Sequence, residues 1–85
     1  MNETINLVHP VMSAGVELCS LSMRRPKVRD QLAVERDKRS EAEKEVRLFA
    51  NLCEVAPETI EDLDMADYAK LQETYRGFIG SGRVS

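Results

Sequence analysis

The chain has few of the residues from which catalytic and metal-binding sites are usually built. Its 85 residues include one histidine, two cysteines and no tryptophan. Structural zinc is usually held by four cysteine or histidine ligands in close pairs, whereas His9, Cys19 and Cys53 are isolated from one another in the sequence. We therefore expect no metal site and no cofactor, and we expect both cysteines to be reduced and mostly buried.

The sequence motifs of common enzymes are also missing. The chain contains no GxxxxGK[ST], GxGxxG, HExxH or GxSxG sequence. A serine or cysteine nucleophile needs a base, and His9 stands beside Pro10 without an evident orienting partner. The acidic residues between Glu58 and Asp67 lack the glycine-centred twelve-residue loop of a calcium site. These absences predict that the protein is not an enzyme.

Long apolar runs are absent as well, since no stretch approaches the roughly 18 to 20 residues that a membrane span requires. The N-terminus lacks the basic and apolar regions of a signal peptide. We therefore expect a cytoplasmic protein without membrane association. A chain of this length forms one small domain with a thin stability margin, which partner binding or self-association would increase.

Charge is divided unevenly along the chain, although the net charge is only −3. Residues 24–39 hold seven basic and three acidic side chains, and residues 40–75 hold ten acidic and three basic ones. The favoured interpretation is that solvated helix faces of opposite charge attract each other within one fold. The alternative is a basic or acidic face that recognises a partner of opposite charge.

Residues 4–23 predict a β-hairpin. Residues 4–10 alternate loosely and end at Pro10, which we place at a strand end or an edge because proline cannot donate to a ladder. Residues 13–15 (SAG) supply the turn. The second strand, residues 16–23, changes the parity of its apolar positions, which indicates a bulge or a strand that leaves one surface for another. Two strands are marginal alone in water, so the hairpin must lie on helices or on another copy of itself.

The rest of the chain, residues 27–80, predicts three to four helices. A first helix at residues 27–38 would turn Val28 and Leu32 inward. Ser40 and Glu43 form a capping box that opens a second helix ending near Cys53. A short helix follows Pro57, and Asp64 caps a last helix at residues 65–79. Its apolar stripe, spaced by three and four residues, consists of Met65, Tyr68, Leu71, Tyr75 and Phe78.

These elements predict an α+β fold in which helix dominates, with one domain at residues 1–80 and a flexible tail at residues 81–85. Two places are candidates for partner binding. Arg24 and Arg25 open the basic segment 24–29, which could contact phosphates, although it has no interleaved aromatic residues. Tyr75 and Phe78 end the apolar stripe, where a protruding helix would expose them to a partner.

The order of segments resembles a known family. The relevant stretches are residues 21–26 (LSMRRP), Asp30, residues 45–53 (EVRLFANLC), 55–58 (VAPE), 63–72 (LDMADYAKLQ) and 77–79 (GFI). Together they resemble the small tail assembly chaperones of Mu-like and P2-like phages and prophages, over residues 4–80. The basic residues Arg25, Lys27 and Arg29 depart from the pattern, since relatives usually carry an acidic residue before this proline and small residues after it.

This resemblance implies a non-enzymatic protein of the host cytoplasm. Such chaperones are thought to bind the long helical tape-measure protein, keep it soluble and help to recruit tail-tube subunits. The implied partners are therefore the tape-measure protein and the tail-tube protein, with self-association left open. The rival hypothesis is a small prophage-encoded regulator that binds nucleic acid through segment 24–29, which the acidic net charge disfavours.

Overall fold

The computed structural model describes residues 2–80 and contains a β-hairpin followed by four helices, which confirms the predicted α+β class. More than half of the described residues are helical. The elements in chain order are β1 (Glu3–Ser13), β2 (Val16–Met23), α1 (Val28–Glu35), α2 (Glu41–Cys53), α3 (Pro57–Glu61) and α4 (Met65–Gly80). The tail expected at residues 81–85 lies outside the described residues.

The two strands are antiparallel and are joined at Ala14 and Gly15, as the turn residues predict. Both residues have positive φ, 52° for Ala14 and 80° for Gly15. This backbone twist is the one that suits a two-residue hairpin loop, because it matches the right-handed twist of the strands. Glycine adopts it without strain, but alanine does not.

The pairing register contains an irregularity near the middle of the hairpin. Asn6 pairs with Ser20 and Val11 with Leu18, so four residues of β1 lie opposite one residue of β2. The core-facing positions of β2 change parity there, as predicted, since Leu18 packs against the core and both Leu21 and Met23 are buried. Pro10 lies within this bulge of β1, which is an edge strand and so agrees with one of its two predicted placements. The bulge accommodates it because the residues there are not paired with β2, so the missing N–H breaks no ladder hydrogen bond.

Asp67 on α4 links this bulge to the helices through hydrogen bonds. Its two carboxylate oxygens accept hydrogen bonds from the backbone N–H groups of Val8, at 3.0 Å, and His9, at 2.9 Å. Lys70 Nζ, one turn further along α4, donates to the carbonyl oxygen of Asn6 at 2.9 Å. The hydrogen bonds from Val8 and His9 lower the pKa of Asp67, because they favour the ionised carboxylate.

One hydrophobic core lies between the inner face of the hairpin and the helices. The ring of Phe49 on α2 is fully buried at the centre of this core. Its centroid lies 5.6 Å from the ring centroid of Tyr68 and 5.7 Å from that of Tyr75. These tilted aromatic pairs join α2 to α4. The largest other fully buried apolar side chains are Met23, Leu52, Ile60 and Leu71.

Helix α2 forms as its sequence predicts. Ser40 Oγ accepts a hydrogen bond from the amide of Glu43, and the Glu43 carboxylate accepts one from the amide of Ser40, which completes the capping box. The helix ends at Cys53, followed by Glu54 at φ 58° in the left-handed region. The buried face includes Phe49, Ala50 and Cys53.

Helix α1 differs from its prediction in length and in orientation. It ends at Glu35, and the two residues expected to face inward, Val28 and Leu32, are 77% and 53% exposed. The buried side chains are instead Asp30 and Val34. An ion pair between Asp30 and Arg24 fixes this orientation, so a contact outside the helix outweighs its apolar spacing.

Two other expectations about burial are wrong. Met65, the first residue of α4, is 77% exposed and does not belong to the core stripe, of which Leu71 and Phe78 are buried. Cys53 is buried as expected, but Cys19 is exposed on the hairpin, and both thiols are free. Burial raises the pKa of the Cys53 thiol to about 11, which leaves it protonated at neutral pH.

Candidate partner-binding surfaces

Arg25 and Phe78, two of the four candidate residues, meet where the chain leaves β2 and α4 ends. The guanidinium carbon of Arg25 lies 5.3 Å from the centre of the Phe78 ring, a cation–π arrangement. Arg25 Nη2 also approaches the Phe78 carbonyl oxygen at 3.5 Å. Phe78 itself is only 8% exposed. The pair forms one wall of a cleft of about 310 Å³, lined also by Glu3, Thr74 and Gly77.

Arg24 is paired with the buried carboxylate of Asp30, and 33% of its side chain stays exposed. Its two terminal nitrogens donate to the two carboxylate oxygens of Asp30 at 2.9 and 2.8 Å. The same carboxylate accepts the backbone N–H of Lys27 at 2.7 Å, which fixes the start of α1. The hydrogen bonds from Arg24 hold the pKa of Asp30 below its usual value. This pairing gives Arg24 a structural role at the junction between β2 and α1.

The basic segment 24–29 nevertheless forms a positively charged cleft. Its lining residues are Asn2, Arg24, Arg25, Lys27 and Arg29, around a volume of about 330 Å³. Lys27 and Arg29 are exposed. Because Arg24 is paired with Asp30, the charge that the cleft offers to an anion comes mainly from the other three cations.

Tyr75, the fourth candidate residue, lines a different surface, which we call the α1–α4 groove. The groove has a volume of about 240 Å³ and is lined by Gln31, Val34, Glu35, Glu41, Lys44, Glu45, Leu48 and Tyr75. Its floor is apolar, formed by Val34, Leu48 and the half-buried ring of Tyr75. Its rim is acidic, because three glutamates face one lysine.

The rim of the α1–α4 groove is partly fixed by hydrogen bonds. Glu45 Oε1 accepts from the Tyr68 hydroxyl at 2.6 Å and from Gln72 Nε2 at 2.9 Å. Burial and the neighbouring Glu45 raise the pKa of Tyr68, so its hydroxyl stays a donor. The Glu41 side chain, by contrast, is 91% exposed, and its carboxylate lies 3.4 Å from Lys44 Nζ. The rim thus combines one carboxylate held by two hydrogen bonds with two that have a single contact each, Glu35 with Gln31 at 2.8 Å and Glu41 with Lys44.

The ion pairs show whether the basic segment 24–39 and the acidic segment 40–75 are paired directly with each other. Within residues 2–80, the pairs are Arg24–Asp30, Arg39–Asp37, Lys44–Glu41, Arg47–Asp37 and Lys70–Asp67. None of these joins a basic residue of segment 24–39 to an acidic residue of segment 40–75. The described part of the chain therefore leaves the two opposite charges without direct pairing to each other.

In the described range, 2–80, no group of three or more histidine, cysteine or acidic side chains is arranged to hold a metal ion. Among the helices of that range, none has the length and apolar character needed to cross a bilayer.

The chain belongs to the family of phage tail assembly chaperone proteins E, 41 or 14, whose family model matches residues 4–80. The match covers the hairpin and all four helices, so it applies to the fold as a whole. Searches of curated proteins and of solved structures gave no significant match. The suspected relationship to phage tail assembly chaperones is thereby confirmed.

Arg24 and Arg25 both line the basic cleft, where the Arg24 guanidinium donates to the Arg25 carbonyl oxygen at 3.4 Å. Arg25 also contacts Phe78, and Tyr75 lies apart from them in the α1–α4 groove. The other residues of the α1–α4 groove were not singled out from the sequence, because the groove depends on the packing of three helices. In the sequence, Asp67 stands out only as one of the acidic residues between Glu58 and Asp67, and no local signal indicates that it holds the bulge of β1.

Proposed function

We propose that this protein binds the tape-measure protein of its phage, keeps it soluble and assists the assembly of the tail tube around it. Binding occurs without catalysis, in the host cytoplasm, before the tube encloses the tape measure. The observation that carries the proposal is the family match over residues 4–80. The chemistry fits, because a long amphipathic helix exposes an apolar stripe that must be covered until assembly.

The α1–α4 groove is the surface we propose for this helix. Its apolar floor suits the apolar side chains of an amphipathic helix, spaced by three and four residues. Glu35, Glu41 and Glu45 on the rim would attract lysine or arginine on the flanks of that helix. We therefore expect the chaperone to select tape-measure segments in which basic residues border the apolar stripe.

The Arg25–Phe78 cleft extends this surface along α4. Phe78 follows Tyr75 by three residues, about 4.5 Å along the helix axis. A bound helix that extends past Tyr75 would contact Arg25 and Phe78. The Arg25 guanidinium can donate hydrogen bonds to an acidic side chain of that helix. In this proposal Arg24 positions the β2–α1 junction through Asp30 and does not contact the partner.

Charge reversal on the rim tests the proposed surface. The double variant Glu35→Lys/Glu41→Lys changes two exposed side chains, so it should leave the melting temperature nearly unchanged. It should weaken binding of a tape-measure fragment at least tenfold in isothermal titration calorimetry. The matched control is Glu58→Lys, which reverses an exposed charge on α3 outside the groove. Equal affinity of the wild type and the double variant would place the binding site elsewhere.

The alternative function, nucleic-acid binding, would use the basic cleft as its binding site. A low-salt gel shift that Lys27→Glu/Arg29→Glu abolishes would favour it, because both side chains are exposed and the contacts would be to phosphate. Absence of any shift at low salt would remove the hypothesis.

A further inference from the structure

Helix α1 presents a pair of apolar side chains to solvent. Val28 and Leu32, one turn apart on the same face of the helix, are 77% and 53% exposed. The other large apolar residues that are exposed on the described helices, Met65 and Ile79, lie at opposite ends of α4. Single apolar residues on a surface are normal, whereas a group of them with a polar rim marks an interaction site. The outer face of α1 therefore suits contact with another apolar surface.

The fold fixes this exposure. Leu32 is two residues from Asp30, which places the two side chains about 160° apart around the helix. Asp30 is buried, accepts two hydrogen bonds from Arg24 and one from the amide of Lys27. Rotation of α1 to bury Leu32 would break these bonds and expose the carboxylate. The apolar pair consequently stays on the outside.

Three cations border the apolar pair. Arg29 lies three residues before Leu32 and Arg36 lies four residues after it, so both are its neighbours on the helix surface. Lys27 directly precedes the helix. All three side chains are exposed, and none of them forms an ion pair with a carboxylate in the described part of the chain. Their charge is therefore available to a partner.

The acidic neighbour of Leu32 belongs to the other side of α1. Glu35 lines the α1–α4 groove and accepts a hydrogen bond from Gln31 Nε2 at 2.8 Å. Helix α1 thus separates two surfaces of opposite charge. One is the acidic rim of the groove, and the other, which we call the basic α1 face, consists of Lys27, Val28, Arg29, Leu32 and Arg36.

We infer that the basic α1 face binds an acidic amphipathic helix of a second protein, opposite in charge to the helix proposed for the α1–α4 groove. Apolar side chains spaced by three and four residues would cover Val28 and Leu32. Carboxylates beside that stripe would pair with Arg29 and Arg36, since a guanidinium binds a carboxylate through two parallel hydrogen bonds. The eight residues of α1, about 12 Å long, offer two turns for this contact. The inference does not depend on what occupies the groove.

The apolar pair distinguishes a protein helix from nucleic acid as the occupant. Phosphates would pair with the cations but would leave Val28 and Leu32 uncovered. Residues 24–39 also contain no aromatic side chain on which a base could stack. An acidic helix complements both the charge and the apolar character of the face.

Two helical peptides of about 18 residues test this inference. Both carry leucines spaced by three and four residues, and the flanking positions are glutamate in the acidic peptide and lysine in the basic peptide. In fluorescence anisotropy the acidic peptide should bind the wild-type chain, and its affinity should fall at least tenfold when its leucines are replaced by serine. The chain variants Arg29→Glu/Arg36→Glu and Val28→Ser/Leu32→Ser should each weaken its binding at least tenfold. These four side chains are exposed, and thermal melts will verify that the fold is kept.

Each chain variant has a matched control on α4. Arg76→Glu reverses an exposed cation, and Met65→Ser removes an exposed apolar side chain, both away from the basic α1 face. The two controls should bind the acidic peptide as the wild type does. The basic peptide should bind the groove instead, and Glu35→Lys/Glu41→Lys should weaken it without weakening the acidic peptide. A failure of the groove proposal is thereby observed separately.

Three results would overturn the inference. The first is no binding of the acidic peptide by the wild-type chain, and the second is binding that the α1 variants and the α4 controls affect equally. The third is a gel shift with duplex DNA that Arg29→Glu/Arg36→Glu abolishes and Val28→Ser/Leu32→Ser leaves unchanged, in a chain that does not bind the acidic peptide. That result would assign the face to nucleic acid.

Discussion

Replacing Leu71 by alanine tests the role of α4 as the helix that holds the fold together. Leu71 lies in the middle of α4 and is 0% exposed. The substitution removes three carbon atoms from a closely packed core. Alanine is at least as favourable as leucine in a helix, so backbone propensity does not add to the loss. The change therefore isolates side-chain packing.

The expected loss follows from burial. Removing three buried carbons costs about 2 kcal/mol of transfer free energy at about 0.8 kcal/mol per methylene. The cavity left behind adds a further cost, and buried leucine-to-alanine changes span about 2 to 5 kcal/mol in total. We expect about 3 kcal/mol here. Small domains have net stabilities of only about 5 to 15 kcal/mol, so this loss is a large fraction of the whole.

Urea denaturation followed by circular dichroism measures this loss, and a thermal melt provides a second readout. A loss of about 3 kcal/mol should lower the melting temperature by at least about 12 °C in a domain of this size. The matched control is Ile79→Ala on the same helix, since Ile79 is 61% exposed and should change stability by less than about 0.5 kcal/mol. Equal effects of the two substitutions would refute the packing argument.

Two further predictions concern the hairpin. Asp67→Asn should lower the melting temperature at pH 6, because an amide can accept only one of the two bonds from Val8 and His9 and carries no charge. Since the folded pKa of Asp67 is lowered, its contribution is complete above its unfolded pKa of about 4 and is lost as the pH falls toward the folded value. The difference between wild type and variant should therefore shrink as the pH falls below about 4 in paired thermal melts, and a difference that grows in acid would contradict the assignment. Ala14→Asn should stabilise the protein by about 0.5 to 1 kcal/mol in urea denaturation, because asparagine tolerates the positive φ of this turn better than alanine. A destabilised Ala14→Asn variant would show that the turn does not limit stability.

Local signals were sufficient for much of the fold. The capping box of Ser40 and Glu43, the break at Pro57 and the turn at Ala14 and Gly15 each depend on residues close together in sequence. Such signals act through nearby backbone groups, so they can be interpreted without knowledge of the tertiary structure. Together these local signals predict a hairpin and then a series of helices.

The errors arise where burial or a distant contact decides the structure. The orientation of α1 is set by Asp30, whose partner Arg24 is close in sequence but whose burial the sequence does not show, and the bulge of β1 is held by Asp67, which is 59 residues from Val8. A buried carboxylate with a distant partner looks like an ordinary surface acid in the sequence. The candidate site was predictable only in part for the same reason, since the α1–α4 groove requires the packing of three helices around Tyr75.

The central claim is that this chaperone keeps the tape-measure protein soluble by binding it. The most direct measurement is the soluble fraction of the tape-measure protein in host cells that carry the phage genes with and without this gene. We expect the soluble fraction to fall sharply in the deletion strain and to be restored by the wild-type chain but not by Glu35→Lys/Glu41→Lys. A tape-measure protein that stays soluble and reaches its full tail length without this chain would contradict the account.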